Sequence, residues 1–370
     1  MSSSQRTSRR RDTRPGLREV AQAAGVSTAT VSRVINTPDK VSEDVRQRVQ
    51  SAIAQLGWIP NATGRALASS RSRLLGLLLP TMDNEVFAHQ TEGLQRVLRE
   101  QGMNLLIGCS NYDIDVALDE AQIMLGRGIE ALAVVGETQN PRLFELLRAR
   151  GMPYVVLYSW RAGAPHACIG VDHRQAFHEL AQRLIASGHR RLGVILQPLL
   201  NNDRVEARLN GIRDAVREAG TPDPVACDFE MQQTGTGIDF GEQAFLRLMA
   251  RPEPPSVVIC GNDELALGAF FAAQKAGIRI PEDVSLTGFD DLRMVSRLTP
   301  ALTSGRVDNR RLGETAARHL LTALASGQPP ASMLLPVDWQ WRGSVAGRPP
   351  AGSAASPSAS DTAPAPRSAP

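Results

Sequence analysis

Short apolar runs recur through the middle of the chain: Leu74–Leu79, Asn104–Cys109, Ala131–Val135, Tyr154–Leu157, Leu192–Leu196, Val257–Cys260 and Val284–Thr287. Each has the length and flanks of a strand buried on both faces. Between most of them the apolar positions follow a helical period, as in Phe177–Ser187, where Phe177, Leu180, Ala181, Leu184 and Ile185 fall at i, i+3, i+4 spacing. Gly188, Gly220 and Gly277 stand just past such stretches, where a helix commonly ends on a left-handed residue. Strands alternating with helices predict right-handed crossovers and mostly parallel sheets. The rhythm runs from Leu74 to about Val345. That is longer than one such sheet needs and predicts two α/β lobes with a cleft between them. A single (β/α)₈ barrel is the competing arrangement of similar length.

Residues 16–58 carry a different pattern, three short helices with a sharp turn. Val20, Ala21 and Ala24 line one face of the first helix; Gly25 supplies the turn and Val26 packs into the angle. Ser27 is a good N-cap for the second helix, in which Val31, Val34 and Ile35 face inward. Thr28, Ala29, Ser32 and Arg33 share its opposite face, short side chains at the tip and one long cation a turn later. A helix entering the major groove needs this arrangement, because bulky residues at its tip would hold it off the base edges. Ser42 caps a third helix whose apolar stripe is Val45, Val49, Ala52, Ile53 and Leu56.

Charge sharpens this reading. The net charge is only +3, but residues 1–72 hold twelve Lys or Arg against five Asp or Glu, leaving the remainder mildly acidic. A basic head on an acidic body points to a polyanion met by the head. Composition otherwise fits a soluble globular chain, with 42% hydrophobic and 21% charged residues. Cys109, Cys168, Cys227 and Cys260 are far apart and lie mostly in or beside apolar runs, so they read as core residues; no metal or cofactor is expected. The Arg-rich start has no apolar segment after it and no stretch is long enough to span a membrane, which places the chain in the cytoplasm.

The motifs Val20-Ala21, Ala24-Gly25-Val26-Ser27, Thr30-Val31-Ser32-Arg33, Asn36, Val41-Ser42 and Leu56-Gly57-Trp58-Ile59-Pro60-Asn61 resemble the head-piece signature of the LacI/GalR family of bacterial repressors. The resemblance runs from Leu17 through Leu67 and extends to the α/β body. It implies an all-α helix-turn-helix head on an α/β, two-lobed body like periplasmic sugar-binding proteins. Thr28 and Ala29 would then vary operator choice and Arg33 would contact a base. Ser27, Thr30, Ser32, Asn36 and Asn61 would complete the DNA-binding set, largely through phosphates, which position a head without specifying sequence. Leu67 stands where the family inserts a leucine wedge into the minor groove.

In the body the resemblance marks Asn84 and Phe87 after the first strand, Arg208 in Arg-Leu-Asn-Gly, Asn262 before Asp263, and Asp290 in Gly288-Phe289-Asp290-Asp291. These would bind a small effector, a sugar or sugar acid, with gluconate-type regulators the nearest pattern. Tyr158, the sixth effector-binding candidate, departs from it, ending the fourth strand where some relatives carry an acid. The expected layout is a disordered basic arm over 1–15, the head over 16–60, a hinge helix over 61–72, the effector-binding and dimerisation body over 73–345 and a disordered Ala/Pro/Ser tail over 346–370. A two-fold homodimer on a pseudo-palindromic operator follows, because one head reads too few base pairs. The enzyme alternative lacks a nucleophile elbow or phosphate loop, and His173 and His178 read as exposed helix residues off metal spacing. A transport binding protein would share the body but not the head. A regulator with a vestigial pocket under a protein partner stays open.

Overall fold

The computed structural model describes residues 15–59, 71–220, 225–227 and 237–347. The expected basic arm, most of the hinge with Asn61 and Leu67, and most of the tail lie outside the described residues.

The head consists of α1 (Leu17–Ala24), α2 (Thr28–Asn36) and α3 (Glu43–Leu56). The α1–α2 turn is made at Gly25, whose φ of 64° is the left-handed conformation that a β-carbon disfavours. Ser27 caps α2 by accepting the Thr30 N–H at 3.1 Å. Ser42 occupies the equivalent position before α3, yet its side chain makes no capping bond. Val20, Val31 and Val49, one from each helix, are fully buried together and form the centre of a core separate from those of the body.

The body begins with β1 (Leu74–Leu79), α4 (Glu85–Glu100), β2 (Asn104–Cys109), α5 (Ile114–Gly126), β3 (Ala131–Val135), α6 (Pro141–Ala149), β4 (Tyr154–Leu157) and β5 (Cys168–Gly170). There follow α7 (His173–Ala186), β6 (Leu192–Ile195), α8 (Asp203–Glu218), β7 (Val225–Cys227), α9 (Gly237–Met249), β8 (Val257–Cys260), α10 (Asp263–Ala276), β9 (Ser285–Asp290) and β10 (Thr303–Arg306). The chain then returns through α11 (Asn309–Ser326) and β11 (Met333–Leu334) and ends its folded part in β12 (Asp338–Gln340). Two six-stranded sheets result, ordered β11-β5-β4-β3-β1-β2 and β12-β10-β9-β8-β6-β7. The described pairings are parallel except that of β12 with β10. Two separate sheets exclude the closed barrel. The chain passes between them three times, after β5, after β10 and after β11, so neither lobe is a continuous stretch of sequence.

Side-chain alternation along the strands sorts the helices onto two faces of each sheet. Leu75, Leu77 and Leu79 of β1 pack with Leu94 and Leu98 of α4 and Leu312 of α11. Leu78, between them, packs with Leu118 of α5 and Leu143 of α6 on the other face. The second sheet repeats the scheme: Val194 and Ile259 meet α8, whereas Ile195 and Val258 meet α9 and α10. Helices α4 and α11 touch backbone to backbone through glycines. A β-carbon on Gly93 would stand 2.1 Å from the Arg310 carbonyl, and one on Gly313 2.0 Å from that of Gln90.

Candidate functional site

In the head, α2 presents Thr28, Ala29 and Arg33 exposed, while Val31 and Val34 are buried on its opposite side. Ser32 is half-buried and accepts a bond from the exposed Asn36 amide at 3.2 Å. Ser27 and Thr30 share a hydroxyl–hydroxyl bond of 2.9 Å at the N-terminus of the same helix. Seven of the nine expected DNA-binding residues thus gather on one helix and its cap.

In the body, the loops after the strands of both sheets meet at a narrow cleft between the lobes. Open α/β sheets bind ligands at the carboxyl ends of their strands. All six effector candidates line this cleft: Asn84, Phe87 and Tyr158 from the first lobe, Arg208, Asn262 and Asp290 from the second. Asn84 and Asn262 are the N-caps of α4 and α10, accepting Val86 N–H at 2.8 Å and Leu265 N–H at 3.0 Å. Capping uses their carbonyl oxygens and leaves both side-chain NH₂ groups as donors, that of Asn262 shared with the Glu264 carboxyl.

Arg208 is fixed from three sides although only 3% exposed. Its guanidinium lies 4.5 Å from the centre of the Phe289 ring, and Nη1 donates to the Gly261 carbonyl at 2.5 Å. Nε donates to His173 Nδ1 at 3.3 Å, which leaves His173 Nε2–H to donate to the Tyr158 carbonyl at 2.7 Å. Burial and the neighbouring Arg208 hold His173 well below the usual imidazole range, so it is the neutral tautomer this pattern requires. His173 is therefore a buried support of the cleft at the first lobe crossing, which corrects its reading as an exposed helix residue; His178 is half-buried and bonded to Glu218.

Asp290 accepts a short bond from the Tyr158 hydroxyl, and its carboxyl is pushed up to about 6 by burial against the opposing pull of Arg208 and that hydroxyl. Strand β9 carries it there. The expected strand ended at Thr287, but it continues three residues to Asp290, whose φ is 103°. The turn-like letters of Gly288-Phe289-Asp290 concealed this extension. Asp291 faces elsewhere, paired with Arg306 at 2.8 Å and Arg342 at 2.6 Å. Asp263 likewise serves the fold, accepting from Ser304 Oγ and Leu292 N–H, each at 2.7 Å.

Four further polar cleft residues escaped the sequence reading: Tyr112, Gln197, Asn202 and Arg204. Gln197 and Asn202 follow β6 as Asn84 follows β1, and that position past a strand end was the available signal. Their side-chain oxygens are buried and find no hydrogen-bond partner among the described residues. Arg204 is 5% exposed, and its guanidinium pairs with the Asp203 carboxylate at 3.3 Å. Glu264, half-buried beside the cleft, is pushed up to about 7 by burial and by Asp290 and Asp83. Among the described residues no cluster of metal-ligating side chains occurs and no helix is long and apolar enough to cross a membrane.

Comparison with known proteins agrees with both halves of this description. Residues 16–61 match the lacI family of bacterial regulatory proteins, and residues 181–345 match the periplasmic binding protein-like domain. The chain is 33% identical to the HTH-type transcriptional regulator GntR of Pseudomonas aeruginosa, over 84% of this chain and 90% of that protein. It is 34% identical to the HTH-type transcriptional repressor PurR of Escherichia coli O139:H28, with the same coverage. The structure of the lac repressor dimer bound to operator and the anti-inducer ONPF superposes with a TM-score of 0.78 at 25% identity, covering 89% of this chain and 98% of that one. The relatives are regulators rather than enzymes. The chain belongs to the LacI family of bacterial regulatory proteins and is a DNA-binding transcriptional regulator.

Proposed function

We propose that this regulator is a non-catalytic, cytoplasmic repressor that works as a homodimer and changes its operator affinity when a sugar acid enters the interlobe cleft. The head, 16–60, docks α2 in the major groove. Thr28 and Ala29 offer methyl contacts to thymine, and Arg33 a bidentate pair to guanine. Ser27, Thr30, Ser32 and Asn36 hold phosphates. Asn61 and Leu67 belong to a connector, 61–72, that completes the grip in the minor groove, and the body, 73–345, supplies effector binding and dimerisation.

The observation that carries the effector reading is the cleft's complement of buried groups. Arg204 and Arg208 bring two guanidinium forks suited to a carboxylate. The unpartnered oxygens of Gln197 and Asn202 want hydroxyl donors, the amides of Asn84 and Asn262 donate to hydroxyl oxygens, and the Phe87 ring offers a face to C–H groups. A polyhydroxylated monoanion satisfies all of these; a neutral sugar brings the guanidinium forks no carboxylate beyond the Asp203 that already pairs with Arg204.

Random duplex DNA incubated with the protein and sequenced after retention tests the head. A two-half-site pseudo-palindrome is expected, and its absence with and without added metabolites would overturn the repressor reading. With that duplex as probe, gluconate and other aldonic and uronic acids should shift operator affinity at concentrations where glucose does not. A shift by glucose alone would reassign the effector to neutral sugars.

A further inference from the structure

The side chain that faces Asp290 and Arg208 across the cleft comes from the other lobe. Tyr158 immediately follows β4 in the first lobe, whereas Asp290 and Arg208 belong to β9 and α8 of the second. Its hydroxyl donates to Asp290 Oδ1 and accepts from Arg208 Nη2 at 3.4 Å, while its carbonyl accepts from His173 at 2.7 Å. Tyr158 reaches this position with a φ of 60°, and Asp290 with one of 103°. Two non-glycine residues in that region meeting at one hydrogen bond are held there by their surroundings against local preference. Arg208 does not depend on Tyr158 for its placement, because Phe289, Gly261 and His173 fix it from within the second lobe and the first crossing.

We propose that Tyr158 is an internal competitor of the effector: its hydroxyl fills the hydrogen-bonding site that Asp290 and Arg208 would offer a ligand hydroxyl, and it clasps the two lobes until a ligand displaces it. The inference rests on the reading of the cleft as the effector site. It assigns Tyr158 a role opposite to that of a ligand contact, so removing the hydroxyl strengthens binding. The ring itself packs edge-on to Phe87 and His173, with centroids 6.4 and 5.0 Å away, and a phenylalanine keeps those contacts.

The test compares wild type with Tyr158→Phe in the full chain by two measurements. Amide hydrogen exchange without ligand should rise about tenfold at the ends of β4 and β9 in the variant, as expected for loss of one hydrogen bond to a charged group. Calorimetric titration with gluconate, galactonate and glucuronate should give about tenfold tighter binding to the variant for whichever acid binds. Unchanged exchange at both strand ends overturns the clasp. Weaker binding by the variant overturns the competition and makes the hydroxyl a ligand contact. If none of the acids binds either protein while exchange still rises, the clasp stands and the sugar-acid reading fails.

Discussion

Asp290 is an acid kept where its ionised form is disfavoured. Its carboxyl titrates at about 6 in the fold, against an ordinary value of 3.8. The folded chain therefore holds a proton that the unfolded chain releases, and stability falls as pH rises from about 4 to about 6, levelling above that. A shift of this size costs on the order of 3 kcal/mol once complete. His173 acts in the opposite sense. It stays neutral in the fold while the unfolded imidazole takes a proton below about 6.5, so it lowers stability as pH falls. Asp290→Asn separates the two, since His173 remains in both proteins. Urea unfolding between pH 3.5 and 7.5 should show the variant gaining on wild type by up to about 3 kcal/mol, with the gain appearing across pH 4 to 6. Equal slopes in the two proteins would mean that Asp290 titrates normally. Proton release from Asp290 is also what readies it to accept ligand hydroxyls, so the same variant should lose its response to the effector.

At the scale of elements, α2 and the helix pairs carry different burdens. On α2 the exposed Arg33 stands clear of the buried Val31–Val34 side, so Arg33→Ala should leave head stability within about 0.5 kcal/mol. It should cost operator affinity about 1–3 kcal/mol and relax preference at one base pair. Binding measured against operators substituted at each position checks both, and a uniform loss across sequences would recast Arg33 as a phosphate contact. In contrast, Gly93→Ala touches no ligand but drives a methyl group into the Arg310 carbonyl on α11. It should destabilise the body by about 3 kcal/mol, the upper range for overpacking, read as a lower urea midpoint. The same contrast explains what the letters conveyed. Continuous apolar runs such as Leu75–Leu79 announce strands, and seven of the twelve described strands were legible this way, although β2, expected to be buried on both faces, is a sheet-edge strand left largely uncovered. Strand β10, Thr-Ser-Gly-Arg, and β12, Asp-Trp-Gln, were not, because their short polar sequences take strand form only through pairing with β9 and with each other. The five effector candidates that the family resemblance marked, and Tyr158, where the chain departs from it, converge in the cleft. Gln197, Asn202 and Arg204 carried no comparable motif, and His173 misled because its helix turns it inward at a lobe crossing that the sequence does not mark.

The whole molecule joins two bodies with separate cores. Val20, Val31 and Val49 centre the head's core, and none of its residues belongs to the clusters that hold the lobes. Each half therefore has the apolar packing to fold alone, and coupling between operator and effector must pass through the segment joining them. Within the body, Tyr158, Ser159 and Asn201 bond across the lobes, to Asp290, Asp203 and the Tyr112 carbonyl respectively, and so tie the facing ends of the two lobes together. A ligand that favours one posture shifts DNA affinity only by its differential affinity for the two. By linkage the operator must change effector affinity by the same factor, about 5- to 150-fold for ordinary allosteric couplings. The full chain titrated with the active sugar acid should thus show a changed Kd when saturated with operator duplex. A fragment spanning residues 71–347 should bind the same acid with the Kd of the DNA-free full chain and ignore the duplex. An operator that leaves the Kd of the full chain untouched would uncouple the cleft from the head. A fragment that folds yet fails to bind would place part of the effector site in the head, contrary to the convergence of its residues between the lobes.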